Sequence, residues 1–121
     1  MPTVLIVDDS PTELQAYRDM LEKHGYTVEQ ATDGETSLKK AAELKPDLIL
    51  MDVVMPGMNG FQATRQLNKN SDTAQIPVII ITTKDQETDR VWGLRQGARD
   101  YIVKPVKEND LISRVQSVLG D

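Results

Sequence analysis

The sequence predicts an α/β domain, a doubly wound parallel sheet of five strands with a helix after each. Three observations predict it. The apolar runs VLIV (residues 4–7), LILM (48–51) and VIII (78–81) are unbroken rather than alternating, as strands covered on both faces read. The segments between them carry apolar residues at helical spacing. Strand and helix then alternate five times without a long linker, and strict alternation implies right-handed crossovers with helices on both faces. At 121 residues the chain is one domain in length, enough to bury a core without staples.

Each element has its own signals. TVLIV opens the chain as a β-branched run and ends in Asp8-Asp9. Ser10-Pro11-Thr12-Glu13 follows, a capping-box pattern with proline at the first helical position. Leu14, Tyr17 and Leu21 give that helix an apolar stripe, and Gly25 stops it. Residues 26–31 read as the second strand. Asp33-Gly34 turns into a helix bearing Leu38, Ala41, Ala42 and Leu44, closed by Pro46. Residues 48–51 are the third strand. Asn59 caps a helix with Phe61, Thr64 and Leu67, and residues 68–75 read as a polar loop. Residues 77–82 (PVIIIT) are the fourth strand. Asp85 caps a helix with Val91 and Leu94 that ends at Gly97. Residues 101–103 form the fifth strand, and a last helix carries Leu111, Ile112, Val115, Val118 and Leu119.

Composition removes several function classes. The chain has no cysteine and a single histidine, His24, so it offers no disulfide framework, thiolate metal site or cysteine nucleophile, and a Ser-His-Asp triad is doubtful. Nineteen acids against fourteen bases give a net charge of −5, unsuited to nonspecific binding of nucleic acid or anionic membrane. No signal peptide and no run of membrane-spanning length is visible. The expectation is a cytoplasmic protein without membrane insertion.

The polar residues collect at strand ends. The first strand ends in Asp8 and Asp9, the third in Asp52, the fourth in Thr82 and Thr83, the fifth in Lys104 and Pro105. Ligands of open parallel sheets bind beyond the carboxyl ends, where strand order reverses. With the common order 2-1-3-4-5 the first and third strands are neighbours, so Asp8, Asp9 and Asp52 share a rim flanked by Thr82 and Lys104. Three carboxylates packed together repel, and without a counter-charge at least one takes up a proton. Two compensations fit: a hard cation, Mg2+ or Mn2+, held by oxygen ligands, and the ammonium of Lys104. A carboxylate is also able to act as a nucleophile and form an aspartyl phosphate. Asp52 is the candidate for that role, standing alone and central, while Asp8 and Asp9 hold the metal.

Blander readings stand beside these. Taken singly, Asp52 reads as a strand-end cap, Asp8-Asp9 as acids favoured at a helix start, Thr82-Thr83 as β-branched strand residues, Lys104 as a surface lysine and Tyr101 as core. The shared rim weighs against them for Asp52, Asp8, Asp9, Thr82 and Lys104, while Thr83 keeps the strand reading and Tyr101, from the residues alone, the core reading. His24 reads as solvated or dipole-stabilising. Asp85, Glu87 and Asp89 read as a solvated first turn. Trp92 reads equally as partial core and as an anchor facing a partner.

The ordered segments IVDDS, LILMDVVMPGMNG, IITT and GARDYIVKP give the chain a resemblance, over its whole length, to the receiver domain of two-component response regulators. Within that family it resembles the single-domain receivers of chemotaxis-like systems for type IV pilus twitching motility, through SPTE, MLEKHGY, NGFQATRQL and TTKDQETDRVWGLRQGARDY. The resemblance implies a flavodoxin-like (βα)5 fold, with residues 1–121 as the receiver and no output domain. It implies Asp52 as phosphoacceptor, Asp8, Asp9, Asp52 and the backbone carbonyl of Val54 around Mg2+, and Lys104 pairing with the phosphoryl group. Pro105 would follow a cis peptide bond, and Thr82 and Tyr101 would be the switch hydroxyl and switch aromatic. Val54 and Lys84 fall at family-variable positions flanking the site. The implied partners are a chemotaxis-like histidine kinase as phosphodonor and a protein effector of unknown identity, met on the face of the fourth helix, fifth strand and fifth helix. The protein would be a monomer or a weak phosphorylation-dependent dimer. It would be a signalling protein rather than an enzyme, contributing to its own phosphotransfer and dephosphorylation.

Three other readings remain. A phosphate sink for another regulator shares the same chemistry. A phosphatase working through an aspartyl phosphate needs a second acid two residues after its nucleophile, where Val54 stands. A flavin or nucleotide carrier needs a phosphate-binding loop after the first strand, where two acids repel phosphate unless a metal intervenes.

Overall fold

A computed structural model describes residues 1–120. Five strands, β1 (Thr3–Val7), β2 (Thr27–Ala31), β3 (Leu48–Met51), β4 (Val78–Thr82) and β5 (Asp100–Val103), alternate with α1 (Pro11–Lys23), α2 (Gly34–Leu44), α3 (Gly60–Lys69), α4 (Glu87–Arg95) and α5 (Glu108–Leu119). All strand pairs are parallel, in the order β2-β1-β3-β4-β5, the order the sequence predicts.

The unbroken apolar runs are explained by two cores. Successive side chains of a strand point to opposite faces. Leu5, Val7, Ile49, Met51, Val78 and Ile80 enter one core with Ala41, Ala63, Leu67 and Tyr101. Val4, Ile6, Leu48, Leu50, Ile79, Ile81 and Ile102 enter the other with Leu14, Tyr17, Leu21, Leu111, Ile112 and Val115. Helices α1 and α5 therefore cover one face, and α2, α3 and α4 the other. No described helix is long and apolar enough to cross a membrane.

Several boundaries differ from the expectation. Tyr26 precedes β2, and Asp100 joins β5. Helix α3 runs on through Asn68 and Lys69, because propensity is a weak signal against a helix already anchored by Phe61, Thr64 and Leu67. The N-cap of α4 is Gln86, not Asp85: the Asp89 carboxylate accepts the Gln86 N–H at 3.3 Å and fixes the start one residue later. Leu44 and Val91 are exposed. Leu44 is the last residue of α2, and Val91 stands beside the half-exposed Trp92 on α4.

Candidate functional site

The register builds the rim. Val7 pairs with Met51 across β1 and β3, so the next residues, Asp8 and Asp52, emerge side by side. The backbone extends the ladder by one more bond, Asp52 N–H to Val7 O at 2.9 Å. On the other side of β1, the Asp8 N–H donates to Ala31 O. On β4 and β5, Thr82 pairs with Val103, and the Lys104 N–H donates to Thr82 O at 2.8 Å. The loops then leave in different directions, and what stays at the rim is carboxylate, hydroxyl and ammonium.

Asp8, Asp9 and Asp52 each offer a carboxylate oxygen, and these oxygens lie within 4.8 Å of one another. Asp8 and Asp52 are 2% and 7% exposed, while Asp9 is open to solvent. Lys104 Nζ reaches into the group, 3.1 Å from Asp8 Oδ2 and 3.8 Å from Asp52 Oδ2. A third anion meets it at 3.2 Å, Glu13 Oε1 on the first turn of α1.

Burial dominates the electrostatics. It raises the Asp52 carboxyl to about 6, with Asp8 adding repulsion, against the opposing attraction of Lys104 and hydrogen bonds from the Val53 and Val54 N–H groups. The Val53 bond is 2.8 Å long. Lys104 is held more firmly protonated than a free lysine: burial works against its charge, but the Tyr17, Asp52 and Asp8 oxygens outweigh it. One ammonium thus faces more negative charge than it neutralises. Such a set of hard oxygen donors fits a small divalent cation.

Space at the site is set by Gly60, the first residue of α3. A Cβ there would lie 1.9 Å from the Asp52 carbonyl oxygen and 2.8 Å from the Asp52 carbonyl carbon and Val53 Cα. The N–H of Gly60 donates to Val53 O. The start of α3 is therefore pressed directly against the backbone that presents Asp52.

Thr82 is fully buried, and its hydroxyl accepts the Lys84 N–H at 3.3 Å. Tyr101 is turned inward, its ring in the core with Ile80 and its hydroxyl donating to Lys84 O at 2.9 Å. Burial, with Asp89 and Asp85 nearby, raises that hydroxyl to about 12. Both side chains thus hold the loop after β4 through Lys84. Gly93 gives the Tyr101 ring its room, because a Cβ there would stand 3.0 Å from two ring carbons. The Lys104–Pro105 peptide is cis. Trp92 is about half exposed and shares a cleft of about 410 Å³ with Val53, Val54, Met55, Asn59, Phe61 and Lys84. The Val54 side chain is exposed.

Asp8, Asp9, Asp52 and Lys104, all legible in the sequence, are thus brought together, with Thr82 at the end of β4 and Tyr101 on β5 both bonded to the backbone of Lys84. Glu13 and Gly60 carry no signal of a place at this rim. Glu13 reads in the sequence as the closing residue of a capping box, and nothing local marks Gly60 as a point of close backbone approach. His24 is not merely solvated: its Nε2 lies 3.0 Å from Glu108 Oε2, joining α1 to the start of α5.

The family model described as "Response regulator receiver domain" matches residues 4–116. The chain belongs to this family. It is 60% identical over 120 residues to Protein PilH of Pseudomonas aeruginosa, covering 99% of each chain. Among solved structures it resembles the chemotaxis protein CheY4 of Vibrio cholerae, with 35% identity, a TM-score of 0.92 and 98% of each chain covered. It also resembles the receiver domain of the sensor histidine kinase PA1611 from Pseudomonas aeruginosa, at 31% identity and TM-score 0.91, covering 99% of this chain and 98% of that one. That receiver was crystallised with a magnesium ion coordinated in its active-site cleft. Several curated transcriptional regulators match as well, and the chain spans about half their length.

Proposed function

We propose that this receiver accepts a phosphoryl group on Asp52 from a histidine kinase and passes the change to a protein partner. The observation that carries the proposal is the meeting of three carboxylates with one ammonium, its side chain 11% exposed, at the carboxyl ends of adjacent strands. Asp8, Asp9 and Asp52 would hold Mg2+, with the backbone carbonyl of Val54, and the ion would supply positive charge for the phosphoryl oxygens. Lys104 contributes a second cation, and Asp52 the nucleophilic oxygen. Attack of the ionised Asp52 carboxylate oxygen on phosphorus forms the acyl phosphate and breaks the donor's P–N bond, and the electron pair leaves on the imidazole nitrogen, which takes a proton from solvent.

The switch reading rests on Thr82 and Tyr101. Phosphorylation adds about two negative charges and strong acceptor oxygens. In this reading the Thr82 hydroxyl leaves the Lys84 N–H for a phosphoryl oxygen, the loop after β4 shifts, and Tyr101 turns further into the vacated space. The face of α4, β5 and α5 then changes its affinity for the effector. Similarity to PilH supports a place in type IV pilus twitching motility or a related chemotaxis-like system.

Beryllofluoride, a phosphoryl mimic, tests the site without a kinase. Trp92 lies in the cleft beside Val54 and Lys84 and serves as the fluorescent reporter. The expected result is a saturable change that needs Mg2+ and disappears in Asp52→Asn. Equal responses of wild type and Asp52→Asn would contradict the assignment of Asp52.

A further inference from the structure

The start of α1 carries half a capping box. Ser10 Oγ accepts the Glu13 N–H at 3.3 Å. The reciprocal bond, from the Ser10 N–H to the Glu13 carboxylate, is not made, because Asp8 Oδ1 takes that N–H at 2.9 Å. The Glu13 side chain is instead turned to the rim, 3.2 Å from Lys104 Nζ. Lys104 therefore has two close anions, Asp8 at 3.1 Å and Glu13 at 3.2 Å, while Asp52 stands at 3.8 Å, beyond hydrogen-bonding distance. The carboxylate awaiting a phosphoryl group is the one the ammonium serves least.

We propose that Glu13 is a positioning residue that holds Lys104 back from Asp52 in the unphosphorylated protein. The inference rests on the reading of Asp52 as phosphoacceptor and Lys104 as its cationic partner. A phosphoryl group or its mimic must draw Lys104 away from Glu13 before it gains the full ion pair. Glu13 also adds a fourth carboxylate to the rim, which repels an incoming anion and attracts a cation. Its side chain is 38% exposed, so it returns to water at little cost once Lys104 moves. The unphosphorylated state is favoured by this one contact.

Charge makes the test directional. Glu13→Gln frees Lys104 and removes a negative charge, so the anion should bind more tightly and the cation no more tightly than before. Beryllofluoride titration at saturating Mg2+, read by Trp92 fluorescence, should show affinity about two- to five-fold higher in Glu13→Gln than in wild type, the range of a partly exposed ion pair. Mg2+ titration without beryllofluoride should show equal or weaker binding. A structural role at the helix start would weaken both together. In a Lys104→Ala background the gain from Glu13→Gln should shrink, because the cycle isolates what passes through Lys104. Unchanged or weaker beryllofluoride binding by Glu13→Gln overturns the proposal, as does a full gain that survives Lys104→Ala. Wild type that binds no beryllofluoride overturns the reading of Asp52, and this inference with it. Wild type that binds while Glu13→Gln gains nothing overturns this inference alone.

Discussion

Replacing Asp52 by asparagine should make the metal-free protein more stable at neutral pH. Burial raises this carboxyl from 3.8 to about 6, even with Lys104 and two backbone N–H groups in its favour. The folded pKa lies above the unfolded one, so the folded state holds the proton more tightly. As pH rises from about 4 to about 6 the unfolded chain releases that proton first, and Asp52 progressively destabilises the fold. At pH 7 both states are ionised and the full cost is present. The interval between the two values corresponds to about 3 kcal/mol, reduced by screening and relaxation to roughly 1–3 kcal/mol. Asparagine keeps the shape and retains an oxygen for the Val53 N–H, but carries no charge. The assay is thermal unfolding in chelator at pH 7 and at about pH 4.5, with and without Mg2+. Asp52→Asn should melt higher at pH 7 by roughly 3–10 °C. The gap should narrow at the lower pH, where the wild-type carboxyl is protonated in the fold. Saturating Mg2+ should raise wild type more than the variant, since a ligand bound only by the folded state stabilises it. A variant less stable than wild type in chelator at pH 7, or a gap independent of pH, refutes the electrostatic account.

Other expectations follow from the same contacts. Gly60→Ala places a methyl 1.9 Å from the Asp52 carbonyl oxygen, and overpacking against backbone should cost at least about 3 kcal/mol in urea unfolding. Lys104→Met removes the one ammonium shared by Asp8, Glu13 and Asp52. Breaking a buried pair from one side costs about 3–5 kcal/mol, so chelator-treated protein should melt well below wild type at pH 7, with Mg2+ recovering part of the loss. Tyr101→Phe removes the bond to Lys84 O and should lower stability by about 0.5–1.5 kcal/mol, visible as a small drop in urea midpoint. Glu108→Gln loses the contacts to Lys23 and His24 that hold its carboxyl below the usual range. The resulting fall in melting temperature should be small and should vanish at high salt.

How much of this was legible in the sequence depends on the range over which each signal acts. The three central strands announce themselves because both faces of each are covered, which leaves no polar position inside VLIV, LILM or VIII. From alternation and strand order alone, Asp8 and Asp52 fall side by side, and Thr82 and Lys104 beside them. Edges are less legible. Asp100 belongs to β5 through its pairing with Ile79, which local polarity conceals. The Ser10–Glu13 pattern was half right for a physical reason: Asp8, two residues before Ser10, competes for the same N–H and releases Glu13 to Lys104. Lys104 lies 91 positions from Glu13 and Glu108 lies 84 from His24, and no local pattern links residues so distant. Gly60 is legible only once the backbone of Asp52 is in place against it.

Phosphoryl transfer to Asp52, helped by a divalent cation held by Asp8, Asp9 and Asp52 itself, is open to a chemical test. That test is incubation with acetyl phosphate, with and without Mg2+, followed by intact-mass analysis of wild type and Asp52→Asn. The expected result is a mass increase of one phosphoryl group in wild type, dependent on Mg2+ and missing in the variant. An equal adduct in Asp52→Asn would place the phosphoryl group elsewhere and contradict it.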